Sequence, residues 1–182
     1  LGNGNKVNQD SPVQVSVPAG VTFSAVAAGG NHSFAISSDG TLYSWGSDDY
    51  GKLGNGNNSA TTIPVSISPE VTFSDIKTGQ GNSAIALSTG GTLYTWGQGN
   101  LGQLGNGNNS DTNIPVSISP GVTYSAIATS GYHALALKDD GTLYAWGYNA
   151  SGQLGTGDLI NQYVPVSISP GVTYSAIATG VS

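Results

Sequence analysis

Short stretches in which apolar and polar side chains alternate run along the whole chain. Residues 65–68 (Val-Ser-Ile-Ser) and 133–137 (His-Ala-Leu-Ala-Leu) show the two-residue period of a β-strand, and no stretch shows the period of a helix. Asp-Gly at 39–40 and at 140–141 is a strong signal for a tight turn between antiparallel strands. The pattern therefore predicts an all-β protein built from short strands and hairpins.

The same side chains return at an interval of fifty or fifty-one residues. Each tryptophan is followed eight residues later by a leucine: the pairs are Trp45 with Leu53, Trp96 with Leu104, and Trp146 with Leu154. A period of this length is typical of repeat architectures. We therefore interpret residues 1–182 as one repeat region, with units at about 1–52, 53–103 and 104–153 and a partial unit at 154–182.

Each unit contains four predicted strands, which we name after their most regular residues. After the Leu come a Pro-Val strand, such as 64–67, and a Val-Thr strand, such as 122–128. A His-type strand, such as 133–137, and a Trp-type strand, such as 142–146, complete the unit. Four short antiparallel strands make one blade of a β-propeller. A β-sandwich has no reason to repeat the same side chains at this interval, so propeller blades are the expected fold.

The predicted strands do not add up to a whole number of blades. The Pro-Val and Val-Thr strands occur four times each and the other two types three times each, which gives fourteen strands, or about three and a half blades. Propellers close with about four to eight blades, and a half-made sheet exposes unpaired backbone groups. We therefore expect an incomplete ring whose edges are covered by other copies, as a homo-oligomer or polymer, or by the rest of a longer chain. The mid-repeat start at Leu1 supports this expectation.

Three motifs carry a resemblance to a known family. Residues 131–157 contain Gly-x-His-x-x-Ala-Leu, then Asp-Gly-x-Leu-Tyr-x-Trp-Gly, then Gly-Gln-Leu-Gly-x-Gly. This arrangement resembles the regulator of chromosome condensation repeat, and parts of it recur over the whole chain. The resemblance implies blades of the kind that usually form a seven-bladed propeller. Two positions depart from the motif, because Ser83 replaces the His and Lys52 replaces the Gln.

The resemblance implies several activities. Family members include a nucleotide exchange factor that binds chromatin, a plant ultraviolet-B photoreceptor and a β-lactamase-inhibiting protein. The first needs a basic surface and the second relies on Arg at its interface, whereas this chain contains no Arg. The third acts through a protein-binding propeller face, which the sequence does not oppose.

The composition narrows the classes of partner. The net charge is −6 with only four Lys, so the chain is poorly suited to neutralise the phosphates of nucleic acid or of an anionic membrane surface. No apolar run is long enough to insert into a membrane, and there is no Cys for a disulfide or a thiolate. Few charges together with many Asn, Ser and Thr favour an extracellular or cell-surface location.

The candidate chemical residues are few, and most have a structural interpretation. His32 and His133 occupy one repeat position and are expected to hydrogen-bond across a turn, and the tryptophans are expected in the core. Adjacent acids at 48–49 and 139–140 could bind Ca²⁺ but are usually solvated in such turns. The sequence contains no convincing catalytic set and indicates no cofactor or metal.

The turn tyrosines are the best candidates for binding a ligand. Tyr50, Tyr132 and Tyr148 lie in predicted turns, where aromatic side chains are exposed and able to contact a protein or a glycan. We therefore predict a non-enzymatic, extracellular structural repeat protein that assembles through its open blade edges. The alternative is a protein- or glycan-binding module that acts through its loop tips.

Overall fold

The computed structural model describes residues 1–180, which form three β-sheets of four antiparallel strands. The first sheet contains β1 (Phe23–Ala28), β2 (His32–Ser37), β3 (Leu42–Gly46) and β4 (Thr61–Ile67). The second contains β5 (Phe73–Thr78), β6 (Ser83–Ser88), β7 (Leu93–Gly97) and β8 (Thr112–Ile118). The third contains β9 (Ala126–Thr129), β10 (His133–Leu137), β11 (Leu143–Gly147) and β12 (Gln162–Ile168). A single 3-10 turn, η1 (Asp49–Gly51), lies between β3 and β4.

The three sheets are consecutive blades of a propeller, as the repeat predicts. Within each sheet the spatial order of the strands is their order along the chain. Strand β5 lies against β1 and β2 of the first blade, and β9 lies against β5 and β6 of the second. The first strand of each blade is therefore innermost, and β4, β8 and β12 form the outer edge. Ile63 and Ile114 on this edge are 45% and 52% exposed.

The two larger hydrophobic cores lie between the blades. One core joins Phe34 and Ile36 of the first blade to Phe73, Ile76 and Trp96 of the second. A second core of the same kind joins the second blade to the third. A third, smaller cluster lies within the third blade. Because the two larger cores each take side chains from two blades, a blade needs a neighbour to bury its main apolar face.

The sheets are offset from the repeat units along the sequence. A blade begins with a Val-Thr strand and ends with the Pro-Val strand of the following unit, as in residues 73–118. The structure forms twelve strands within residues 1–180 instead of the fourteen predicted. The first Pro-Val segment (12–15) and the last Val-Thr segment (172–178) are not strands, because the middle strands that would pair with them are not among the described residues.

The last Val-Thr segment nevertheless starts like the inner strand of a further blade. The Tyr174 N–H donates to the Gly141 carbonyl at 2.9 Å, as Tyr124 does to Gly91 at 2.9 Å. Within residues 1–180 no helix has the length and apolar character needed to cross a membrane.

Candidate functional site

Trp96 and Trp146 each join their blade to the preceding one. The Trp96 indole N–H donates to the Lys52 carbonyl at 3.0 Å, and a Cβ added to Gly54 would lie 2.8 Å from the same indole nitrogen. Trp146 repeats the arrangement with the Gln103 carbonyl at 3.1 Å. The sequence places a Leu-Gly eight residues after each Trp, but the structure packs Trp96 and Trp146 on the Leu-Gly at the start of their own repeat unit, in a loop that belongs to the preceding blade. The motif is therefore a lock between blades.

The glycine-asparagine loops make a second lock at the outer edge. The Gly56 N–H donates to the Asn113 carbonyl of β8 at 2.8 Å, and the Gly107 N–H donates to the Tyr163 carbonyl of β12 at 2.8 Å. Gly4 makes the matching bond to Thr62 of β4 at 2.9 Å. Each loop thus binds the outer strand of the following blade, a role that spacing along the sequence does not reveal.

The side chains at the histidine position of the repeat also form hydrogen bonds to neighbouring segments. His32 Nε2 lies 2.7 Å from the Thr78 hydroxyl of the next blade. The Ser83 hydroxyl, at the matching position, donates to a carbonyl of the next blade at 2.8 Å. His133 instead bonds locally, with Nδ1 3.0 Å from the Ser130 hydroxyl across a turn. The three side chains hold neighbouring segments together and are not grouped as a catalytic or metal-binding set.

Mild acid is expected to destabilise the contact between the first two blades through His32. Burial, with a smaller contribution from the charge of Lys52, lowers the pKa of His32 from 6.5 to about 4. As the pH falls below 6.5 the imidazole takes up a proton in the unfolded chain, whereas in the folded chain it stays neutral down to about pH 4. Burial of the neutral His32 imidazole therefore stabilises the folded chain fully above pH 6.5. The free energy of unfolding declines by about 3 kcal/mol as the pH falls from there to 4.

Urea unfolding at a series of pH values measures this loss. The control is His32→Ser, which installs the residue found at the matching position, Ser83, and should remove most of the decline. A smaller decline should remain, because burial also lowers the pKa of His133. An undiminished decline in His32→Ser would show that other groups cause the acid sensitivity.

A buried ammonium group organises a polar network between the first two blades. Lys52 is 2% exposed, and its Nζ donates to Asp49 Oδ2 at 3.1 Å and to Asn82 Oδ1 at 3.0 Å. The Ser47 hydroxyl donates to the same Asp49 oxygen at 2.7 Å, and Asn82 Nδ2 donates to Gln98 Oε1 at 3.2 Å. Hydrogen bonds from Ser47 and Lys52 keep the pKa of Asp49 below its usual value. The network satisfies a charge whose burial would otherwise be costly.

One end of the blades carries paired residues at equivalent positions. The second residue of each pair donates its backbone N–H to the carbonyl of the first, at 2.8, 2.9 and 2.9 Å. We call these six residues the slot row: Asn31 and Ser47, Asn82 and Gln98, and Tyr132 and Tyr148. Asn31 is exposed and the other five are half-buried. The slot row thus forms a surface that continues across three blades.

A glycine before each second slot residue makes the pairing possible. A Cβ at Gly97 would lie 2.2 Å from the Asn82 carbonyl oxygen, and one at Gly147 would lie 2.6 Å from that of Tyr132. Gly97 and Gly147 also have φ of +94° and +100°, which disfavours other residues. The Gly that follows each Trp in the motif therefore serves this close approach.

Family comparison identifies the repeat. A model described as "Regulator of chromosome condensation (RCC1) repeat" matches residues 1–36, 39–86, 90–137 and 140–182. The chain belongs to the RCC1 repeat family. RCC1-type propellers are generally protein-interaction modules, and the blades described above are those of an RCC1-like propeller.

Curated relatives and solved structures support the RCC1 assignment. The chain is 35% identical over 138 residues to the ultraviolet-B receptor UVR8 of Arabidopsis thaliana, covering 73% of this chain and 31% of the receptor. It is 33% identical over 121 residues to the human E3 ubiquitin-protein ligase HERC2, covering 65% of this chain and 2% of the ligase. The structure of human WBSCR16 matches with a TM-score of 0.78 and 29% identity, covering 90% of this chain and 44% of that one.

A structure of Prp20p from Saccharomyces cerevisiae shares the fold. It matches with a TM-score of 0.73 and 23% identity, covering 82% of this chain and 39% of that one. The RCC1 chain described here therefore spans less than half the length of each of these relatives.

The tyrosines proposed to bind a ligand occupy two different places in this RCC1 segment. Tyr132 and Tyr148 are neighbours in the slot row, joined by the 2.9 Å backbone bond. Tyr50 lies in η1, is 49% exposed and borders a separate shallow cavity with Asn58 and Asp111. The structure thus brings two of the three candidates together.

The remaining predicted residues of the RCC1 repeat are buried. Trp45, Trp96 and Trp146 are at most 6% exposed, and Leu53, Leu104 and Leu154 are at most 2% exposed. Asp48 is also buried, and its Oδ1 accepts the Leu53 N–H at 2.9 Å while burial raises its pKa. Within residues 1–180 no three His, Asp or Glu side chains are grouped closely enough to bind a metal ion.

Proposed function

We propose that this chain is a non-enzymatic structural segment of an RCC1-type propeller whose open flanks are covered by further blades. The observation that carries the proposal is the exposure of one repeat position. Ile76 and Ile127 are 2% and 3% exposed between blades, whereas Val26, at the matching position of the first blade, is 75% exposed. Burying such a side chain contributes about 1.5–3 kcal/mol to stability. A further blade that covered Val26 would therefore gain this free energy on packing against the first blade.

The opposite flank supports the same proposal. A Cβ at Gly54 or Gly105 would collide with the Trp of the next blade, whereas one at Gly155 would meet only Ile168 at 3.6 Å. Around Gly157 no described atom lies within 4 Å of an added Cβ. Both locks between blades are therefore unoccupied on the third blade, within the part of the chain that the structure describes.

The covering blades can come from other copies of the chain or from further repeats on the same polypeptide. Two copies placed end to end bring segment 172–178 of one beside segment 12–15 of the other. That joint lacks the His-type and Trp-type strands present in each of the described sheets. Complete repeats on the same polypeptide would supply them.

Replacing Val26 with Asp tests the exposed flank. In the 182-residue chain the free energy of unfolding should change by no more than about 0.5 kcal/mol, because the side chain is exposed. In a chain extended by complete RCC1 repeats that cover the flank, the same substitution should cost about 3 kcal/mol or more, since it buries an unpaired charge.

Urea unfolding of both chains measures this difference, and light scattering over a range of concentrations reports association between copies. Ile63→Asp on the outer edge is the control and should have little effect in either chain. A 182-residue chain that stays monomeric and gains no stability from added repeats would overturn the proposal.

An extracellular or cell-surface location is part of the proposal and is supported by composition. The chain is poor in charge and rich in Asn, Ser, Thr and Gly, and its net charge is −6. Protease treatment of intact source cells, which removes only surface proteins, tests this location.

A second candidate function, a protein- or glycan-binding module, is favoured by the slot row. The adjacency of Tyr132 and Tyr148 places two aromatic residues at one end of the third blade. The partners named for Prp20p are Gsp1p and histones, which gives a precedent for protein binding on this fold.

A further inference from the structure

The two ends of the blades differ in how much their residues vary between repeats. At one end the loop between blades is nearly constant, with Ser-Pro-Gly-Val-Thr at 119–123 and at 169–173 and Ser-Pro-Glu-Val-Thr at 68–72. At the other end the slot row changes from Asn and Ser to Asn and Gln to a pair of Tyr. Because the backbone pairing beneath these side chains is the same in every blade, packing does not demand the change. Variation on a constant scaffold is the arrangement used for recognition.

The polar network fixes the orientation of the slot row in the first two blades. The carboxylate of Asp49 orients the Ser47 hydroxyl and the Lys52 ammonium, and Lys52 donates to Asn82 Oδ1. Asn82 must then present its NH₂ group to Gln98 Oε1, which leaves both Nε2 hydrogens of Gln98 as donors to a partner.

The unusual residue in this network is Lys52 itself. Gln103 and Gln153 stand at the matching positions of the other units, where no ammonium is buried. Burying a charged lysine costs more free energy than burying a glutamine. The bond to the Trp96 indole does not require lysine, because it is made by the backbone carbonyl of residue 52. In the structure Lys52 fixes the orientation of the Gln98 amide through Asn82. We therefore assign Lys52 as a positioning residue for the slot row.

The charge of the surface points to an uncharged partner region. The six slot residues carry no charge, and the ammonium of Lys52 is paired with the carboxylate of Asp49 at 3.1 Å. Tyr, Ser, Asn and Gly are the residues that antibody binding loops use, because Tyr offers rigid contact area and the others offer adaptable hydrogen bonds. The slot row has this composition, with a glycine before each of its six residues.

We propose that the slot row is a docking surface for an uncharged, extended segment of a partner protein, with Tyr132 and Tyr148 as the aromatic anchor and Gln98 as the amide donor. The segment would lie across the second and third blades, its apolar or proline side chains on the tyrosines and a backbone carbonyl on Gln98 Nε2. This inference deepens the second candidate function and does not depend on how the blade flanks are covered.

Selection from a library of random linear peptides displayed on phage tests the surface with the 182-residue chain. Selected peptides should be rich in uncharged residues and should bind Tyr148→Ser and Gln98→Ala about tenfold or more weakly than the original chain. Tyr163→Ser is the matched control, because Tyr163 is 37% exposed on the outer strand β12, and its affinity should be unchanged.

Lys52→Gln separates positioning from folding. It installs the residue of the other units, so circular dichroism and urea unfolding should show a folded chain, while peptide affinity falls about fivefold through the released Gln98 amide. The same peptides should leave the oligomeric state of the chain, measured by light scattering, unchanged. This test is therefore distinct from the test of association through the blade flanks.

Three results would overturn the inference. The first is that no peptide is selected, and the second is that selected peptides bind every slot variant as well as the original chain. The third is binding of neutral oligosaccharides, such as cellohexaose, that depends on Tyr148 while no peptide binds, which would make the surface a glycan site.

Discussion

Trp96→Ala is expected to lower the free energy of unfolding by about 3–5 kcal/mol, the range found when a buried aromatic is truncated. Trp96 has no exposed surface, and its ring meets Phe34 of the first blade edge-on at 5.6 Å. The substitution also removes the indole donor from the Lys52 carbonyl, which leaves a buried acceptor without its partner. The contact between the first and second blades should therefore be lost first.

Urea unfolding followed by hydrogen exchange checks this prediction, because exchange should accelerate in β1 and β2 before β10 and β11. Tyr50→Ala is the control, since Tyr50 is 49% exposed and its loss should change stability by less than about 0.5 kcal/mol. Equal effects of the two substitutions would mean that the tryptophan does not lock the blades together.

Gly54→Ala is expected to destabilise the chain by about 2 kcal/mol more than Gly155→Ala. The two glycines occupy the same place in the motif and have φ of +71° and +70°, so an alanine suffers the same backbone strain at both. Only at Gly54 does the new Cβ meet a buried side chain, 2.8 Å from Trp96 Nε1, whereas at Gly155 the nearest atom of Ile168 is 3.6 Å away. The difference between the variants therefore isolates the steric part of the lock.

Thermal and urea unfolding of both variants measure the difference. If further blades cover the third blade in an extended chain, Gly155→Ala should become as damaging there as Gly54→Ala. Equal costs of the two substitutions in the 182-residue chain would contradict the assigned packing of Trp96 on Gly54.

Much of the fold is local and could be predicted. The alternation at 133–137, the Asp-Gly turns and the fifty-residue period each depend on backbone preference or side-chain direction over a few residues. The resulting strands, hairpins and blades are present in the structure. The prediction of fourteen strands failed at segments 12–15 and 172–178, because a strand needs a neighbour and local pattern does not supply one.

The candidate site was less predictable because most of it depends on contacts between blades. The sequence identified Tyr132 and Tyr148 as turn residues, and their 2.9 Å backbone bond continues the register of the β10–β11 hairpin, but nothing in the spacing showed that Tyr50 lies apart. The sequence showed Lys52 only as a departure from the Gln of the motif, whereas in the structure it is buried and orders Asn82, thirty residues further along the chain.

The sequence by itself determined the kind of strand, the turns that join strands and the number of repeats, because these follow from interactions within about fifty residues. Only the tertiary structure decided that Trp96 packs on Gly54, that each loop binds the next outer strand, and which side chains share a surface. The physical reason is that a blade buries most of its apolar face only against a neighbouring blade. Its partners are therefore set by stacking, which brings together residues more than forty positions apart.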